Sequence, residues 1–269
     1  MLKDIDDRQQ PLLEHLIELR NRLIYSVAAI FVGFVICYAF SDHIYAFLVR
    51  PLADAYGGQA GARMIYTGLT EAFFTYLKVA FWAGAFISFP VVAIQLWLFI
   101  APGLYRTEKT AFLPFLAATP ILFFTGGAMV YYIIMPLAWR FFLSFQTGAA
   151  DNGGLPIELE ARVAEYLSLV MTLIFAFGLA FQLPVALTLL GRVGIISSRQ
   201  LVSFRRYAIV GIFVAAAVLT PPDIISQVGL GIPLVLLYEV SIWAVRIIER
   251  QRAREEAEED AASDASGQA

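Results

Sequence analysis

Six apolar stretches alternate with short polar or basic segments along most of this chain, at roughly 22–41, 72–99, 110–138, 163–190, 206–220 and 227–246. A bilayer core takes about 20 helical residues to cross. The pattern therefore predicts an all-α integral membrane protein with six transmembrane helices. The fifth stretch, YAIVGIFVAAAVL, has only about 13 apolar residues before the sequence TPPD, and the sixth is also short. The last two helices are expected to be short and to form a tight hairpin, with local bilayer thinning or shielding by neighbours. The first apolar run has no small-residue cleavage site behind it and further spans follow, so it reads as a retained helix.

Pro90, Pro114, Pro120, Pro136, Pro184 and Pro233 all fall within these spans. Each removes a helical N–H and tends to kink its helix. Kinked helices of unequal length predict a curved, concave wall more than a straight bundle. Two longer connections are expected at about 42–70 and 140–162; the first contains HIYAFLVRPLADAY, amphipathic enough for a short surface helix interrupted by Pro51. No sequence echo supports an inverted repeat of three spans on three.

Composition agrees with the pattern. Of 269 residues, 59% are hydrophobic and 15% charged, against roughly 25% charged in a soluble domain. The net charge of −3 is concentrated at one end. Residues 249–269 hold seven acids and three bases, whereas the rest holds 15 acids and 16 bases. The chain divides into a cytoplasmic amphipathic segment (1–21), a six-helix region (22–248) and a tail (249–269) expected to be disordered and solvating. With the N-terminus inside, 14 of the 19 lysines and arginines fall on the inner side, which predicts cytoplasmic N- and C-termini. Cys37 is the only cysteine and lies in the first apolar run, with His15 and His43 on its flanks. That leaves no metal cluster, no phosphate loop and no cofactor site to expect.

Charged and polar groups inside membrane segments are costly and stand out as candidates. Glu239 lies in the sixth span, Gln182 in the fourth before Pro184, and Glu71 and Lys78 at the outer end of the second. Asp223 closes the TPPD turn, with Thr220 before it and Gln227 a turn later. Each has a bland reading. Asp223 can cap the sixth helix, Glu71 can cap the second span, Lys78 can snorkel, and Gln182 can bond across helices.

On the inner side, residues 15–23 read HLIELRNRL, entering the first span. Leu12, Leu16, Leu19 and Leu23 share one helical face, while Glu14, Glu18 and Arg22 share the other. Glu18 either pairs with Arg22 at i, i+4 or receives a visiting cation. Glu108, in FIAPGLYRTE between spans two and three, is placed by topology on the same side. Two separated carboxylates there can each take a guanidinium in a charge-assisted contact. The alternative is that each pairs with its own neighbouring Arg or Lys.

HLIELRNRL, FIAPGLYRTE, FGLAFQLPVA and LTPPDIISQ occur in this order and at these span positions. Together they resemble the TatC family, the multi-spanning receptor subunits of the twin-arginine protein translocase, over roughly residues 10–248. The resemblance implies a bacterial inner-membrane protein, not an enzyme, that binds twin-arginine signal peptides and exports folded proteins with the proton-motive force. It implies partnership with single-span TatA- and TatB-type subunits and with further copies of the chain in a receptor complex, and no nucleic acid. It also implies that Glu18 and Glu108 form the twin-arginine site, with Arg20, Phe99, Pro102, Leu104 and Tyr105 shaping that surface. Pro51 matches a proline of the first periplasmic loop. Thr220, Asp223 and Gln227 match the region where TatA-type helices dock. One departure is Gln182, where the family often has glutamate; an amide hydrogen-bonds but carries no charge, so it suits an intramembrane polar contact.

Two other classes compete. A secondary transporter of a small solute would draw on Glu239 and Gln182 but predicts repeats and broken helices around a midplane site. An intramembrane hydrolase lacks a Ser–His or paired-Asp arrangement within the spans.

Overall fold

The computed structural model describes residues 6–58, 63–100, 113–148, 154–219 and 224–267. Its order is α1 (Asp6–Ala39), α2 (Ser41–Tyr56), β1 (Met64–Ile65), α3 (Glu71–Ile100), α4 (Leu113–Met129), a π-helical turn (Val130–Ile134), α5 (Met135–Leu143), β2 (Ala161–Arg162), α6 (Val163–Ala180), α7 (Leu183–Arg192), α8 (Ser198–Leu219) and α9 (Ile224–Gly267). Among the described residues six stretches are long and apolar enough to cross a membrane: Leu13–Ala39, Glu71–Phe99, Phe115–Leu143, Val163–Arg192, Ser198–Leu219 and Gln227–Arg254. Each overlaps one of the six predicted spans, although the first and fifth begin nine and eight residues earlier and the sixth ends eight residues later.

Two expectations about length are corrected. The fifth span is the shortest at 22 residues, but the sixth runs to 28 and is not short. The segment 249–269, read as disordered, is helical as far as Gly267 because α9 runs straight on from the sixth span. Its sequence after Arg246 is dominated by Arg, Glu and Ala, all good helix formers, which carry the helix past the apolar stretch.

The prolines act unequally. Helices α2, α3, α4 and α9 run through Pro51, Pro90, Pro120 and Pro233 without interruption, and Pro114 sits in the first turn of α4, where its missing N–H is harmless. Pro184 behaves differently. Its ring opposes a helical carbonyl four residues back, and α6 ends at that residue, Ala180, before α7 restarts at Leu183. Pro136 follows the π-helical turn, where one extra residue per turn removes the same conflict.

The chain forms two compact units. The first comprises residues 1–121 and 139–175. In it α1 and α3 meet through small residues, with Gly33 and Gly84 backbone to backbone: a Cβ on Gly84 would lie 2.4 Å from the Phe34 nitrogen. Close approach of this kind is how helices associate where lipid removes any hydrophobic drive. Ser88 crosses the same seam, its hydroxyl donating to the Ala29 carbonyl at 2.8 Å. Trp97 Nε1 donates to Thr119 Oγ1 at 3.0 Å, tying α3 to α4. Helix α2 is the amphipathic segment, and Pro51 within it is buried. Tyr56 and Tyr166 anchor it by donating to the Leu159 and Leu48 carbonyls at 2.7 and 2.9 Å. β1 and β2 pair in parallel, Met64 with Ala161 and Ile65 with Arg162.

The second unit comprises residues 122–138 and 176–269. Leu201, Ile212, Leu234, Tyr238, Ile242 and Val245 form a buried cluster between α8 and α9. Gly231 sits against the Phe213 ring and Gly191 against Val245, where a Cβ would approach to 2.7 Å in each case. Many side chains on α1 and α8 are fully apolar yet exposed, Phe31, Val35, Val210 and Val214 among them. That distribution is expected of helices bathed in hydrocarbon.

Candidate functional site

Arg22 and Glu18 lie one turn apart on α1 and form an ion pair at the end of the first span. Glu18 Oε1 accepts from Arg22 Nη2 at 2.6 Å and from Nε at 2.9 Å. The predicted i, i+4 pairing is therefore made. Arg22 also reaches across to α3, its Nη1 donating to Gln95 Oε1 at 3.5 Å. The other carboxylate oxygen, Oε2, lies 3.9 Å from His15 Nδ1. The His15 ring stacks on Phe99 with centroids 4.4 Å apart and planes 17° from parallel. Both ends of the Glu18 carboxylate are thus referred to α3, one through Gln95 and one through Phe99.

Glu14, Glu18, Asn21, Arg22, Tyr25 and Gln95 line an open groove of about 380 Å³ at this place. Glu18 is about one-third exposed and Arg22 less so, at 32% and 23%, so a cationic group from outside can reach the carboxylate. Two acids and one arginine among these lining residues leave the groove net negative.

Other candidates lie elsewhere. Arg20 is exposed and donates to Asn21 Oδ1 at 3.3 and 3.2 Å, away from Glu18. Gln182 occupies the interruption between α6 and α7; its N–H donates to the Leu179 carbonyl and its own carbonyl accepts from Ala186, both at 2.9 Å. Gln227 Nε2 donates to the Phe213 carbonyl at 3.2 Å, linking α9 to α8. Glu239 is paired with Arg205 of α8, Nε to Oε1 at 2.7 Å and Nη2 to Oε2 at 2.9 Å. Glu108, Pro102, Leu104, Tyr105, Thr220 and Asp223 lie outside the described residues.

Glu71 is held at the start of α3 by Thr67 and Gly68, whose N–H groups donate to Oε2 at 2.9 and 3.1 Å. Arg162 Nη2 is 3.7 Å from the same oxygen and 2.9 Å from Thr67 Oγ1. Glu71 is therefore the helix-start acid of the bland reading. Lys78 is exposed, as snorkelling requires. An apolar cleft of about 350 Å³ between α2, α3 and α6, lined by Phe47, Trp82, Phe86 and Phe175 among others, carries His43 as its polar rim.

Sequence reading missed Gln95 and Arg205. Gln95 is uncharged in an otherwise apolar run and signals nothing by itself. Arg205 counted only toward orientation, although its spacing from Glu239 across a hairpin was a usable signal.

Comparison with known proteins agrees with the motifs. The family model described as Sec-independent protein translocase protein (TatC) matches residues 14–233. The chain is 54% identical to the TatC protein of Magnetococcus marinus, covering 95% of this chain and 91% of that one. It is 48% identical to that of Rickettsia prowazekii over 89% and 94% of the two chains, and 39% identical to that of Escherichia coli K12 over 92% and 93%. A crystal structure of the twin-arginine translocase receptor TatC superposes with a TM-score of 0.74 at 38% identity, covering 87% of this chain and 99% of the other. By matched length, identity and fold, this multi-pass membrane protein belongs to the TatC family of Sec-independent protein translocase proteins.

Proposed function

We propose that the chain is the receptor subunit of a twin-arginine translocase, binding twin-arginine signal peptides at the cytoplasmic ends of α1 and α3. The observation that carries the reading is the net-negative groove around Glu18, open at the end of the first span and bounded by residues of both helices. One signal-peptide arginine takes Glu18, and Glu108 takes the other. Surface ion pairs contribute only about 0–1 kcal/mol each. The apolar part of the signal peptide therefore carries much of the affinity, while the arginines set register and specificity.

In this reading both termini are cytoplasmic in a bacterial inner membrane, in keeping with the distribution of lysine and arginine. The protein catalyses no reaction. It recruits TatA- and TatB-type single-span subunits along the α8–α9 hairpin, using Gln227 and, in the sequence that joins the two helices, Thr220 and Asp223, and works with further copies of itself. The proton-motive force drives export of the folded cargo. The Arg205–Glu239 pair weakens the transporter alternative, because the sixth-span acid on which it would draw is already neutralised by a neighbour.

Charge reversal tests the site. Glu18→Lys or Glu108→Lys is expected to abolish crosslinking of a twin-arginine signal peptide while six-span insertion persists. Undiminished crosslinking with both acids reversed defeats the assignment.

A further inference from the structure

We infer that Arg22 is a positioning residue: it occupies one oxygen of Glu18 and thereby presents the other, Oε2, to an incoming guanidinium. The inference rests on the reading above that Glu18 receives an arginine of the signal peptide, and it names what gives that contact its orientation.

Both Arg22 contacts to Glu18 fall on Oε1, from Nε and Nη2. Among the described residues Oε2 accepts no hydrogen bond, and the His15 Nδ1 lies 3.9 Å from it. The carboxylate is thus divided into a held oxygen and an offered one. Arg22 could instead be a competitor that leaves when the ligand arrives, but its surroundings oppose that. It is the less exposed partner, and its third contact runs to Gln95 on α3. Releasing Glu18 would leave a half-buried guanidinium without its counter-charge, which is costly. A resident cation that stays also keeps a second guanidinium from taking both oxygens in a fork. The incoming arginine must then approach from the Oε2 side, beside the His15–Phe99 stack.

Arginine and lysine should respond differently to this arrangement. A planar guanidinium depends on the direction of its acceptor, whereas an ammonium is a compact point charge with rotatable donors. Orienting Glu18 therefore favours arginine over lysine in the ligand.

The test uses the full chain in lipid nanodiscs and two synthetic signal peptides, one with consecutive arginines and one with consecutive lysines, read by fluorescence anisotropy. Arg22→Lys keeps the charge and removes the planar donor pair. It should weaken the arginine peptide roughly ten-fold, the scale of one charged hydrogen bond, and change the lysine peptide much less. In a Glu18→Gln background the same substitution should add no further selectivity loss, which separates positioning from general damage. Tighter arginine-peptide binding by Arg22→Lys would identify a competitor, and equal or absent effects on both peptides would identify a bystander; either overturns the inference. If Glu18→Gln itself leaves arginine-peptide binding intact, the receptor site has been misassigned, and that failure is read independently of Arg22. Should Arg22→Lys not fold, Gln95→Ala asks the same question with an expected selectivity loss of a few-fold.

Discussion

Arg205 and Glu239 face each other across the α8–α9 hairpin with two separate N–H to oxygen contacts, at 2.7 and 2.9 Å. Each is partly exposed within the protein, so the pair holds the hairpin together without being sealed inside it. Removing one partner leaves the other without its counter-charge. Arg205→Ala is expected to lower stability by only about 0.2–1 kcal/mol, because both partners are more than a third exposed. Arg205→Ala combined with Glu239→Ala should recover a good part of that. Thermal unfolding of the detergent-solubilised protein measures both; a double variant no better than the single one contradicts the pairing argument.

The α1–α3 seam predicts a sharp contrast between glycines. Gly84→Ala places a methyl group against the Phe34 backbone, which cannot rotate aside, and should cost about 1–3 kcal/mol or more. Gly57 has open space where a side chain would go, but its φ is +60°, so Gly57→Ala costs only the left-handed backbone, about 1 kcal/mol. Comparing the two melting temperatures checks the order.

Glu71→Ala removes the acceptor for the Thr67 and Gly68 amides and an anion 3.7 Å from Arg162, which also pairs with Glu165. Loss of these charge-assisted bonds should speed hydrogen exchange at those two amides several-fold. Exchange mass spectrometry of the peptide spanning them reads this directly. Unchanged exchange would mean that the turn is held by β1–β2 pairing alone.

An alkaline effect follows from Tyr56. Burial, and secondarily the charge of Glu160, raise its phenol above the ordinary value of 10.0. The folded state therefore keeps its proton where the unfolded chain has begun to lose it. Stability from this group is fully present below pH 10 and is lost as pH rises through the raised folded value. Tyr56→Phe should show a smaller decline above about pH 10 than the parent protein, measured by unfolding at stepped pH.

Much of this fold was legible because bilayer thickness imposes one length on every span, and runs such as 72–99 satisfy it without help from neighbours. Glu18–Arg22 was legible for a similar reason, since four residues on a helix bring side chains together wherever the helix goes. What stayed hidden depends on distant partners. The pairing of Met64–Ile65 with Ala161–Arg162 spans only two residues a side, too short for any alternation to announce. Gln95 acquires meaning only once α3 is laid beside α1. The interruption before Pro184 was foreseeable from proline chemistry, but Pro120 and Pro233 carry the same chemistry inside unbroken helices. The tail was read by its charge, while its alanines and glutamates followed the helix already in progress.

The glycine contact between α1 and α3 also limits how the groove can respond to a ligand. Backbone packed on backbone at Gly33 and Gly84 leaves no side-chain cushion to absorb a slide. Rotation of either helix by one residue would bring Val32 or Phe34, or Ala83 or Ala85, into a space that holds no Cβ. The two helices therefore behave as a keyed joint with one seating. A signal peptide meets a ready-made mould at Glu18, and any work that its binding performs must be passed on to other parts of the translocase.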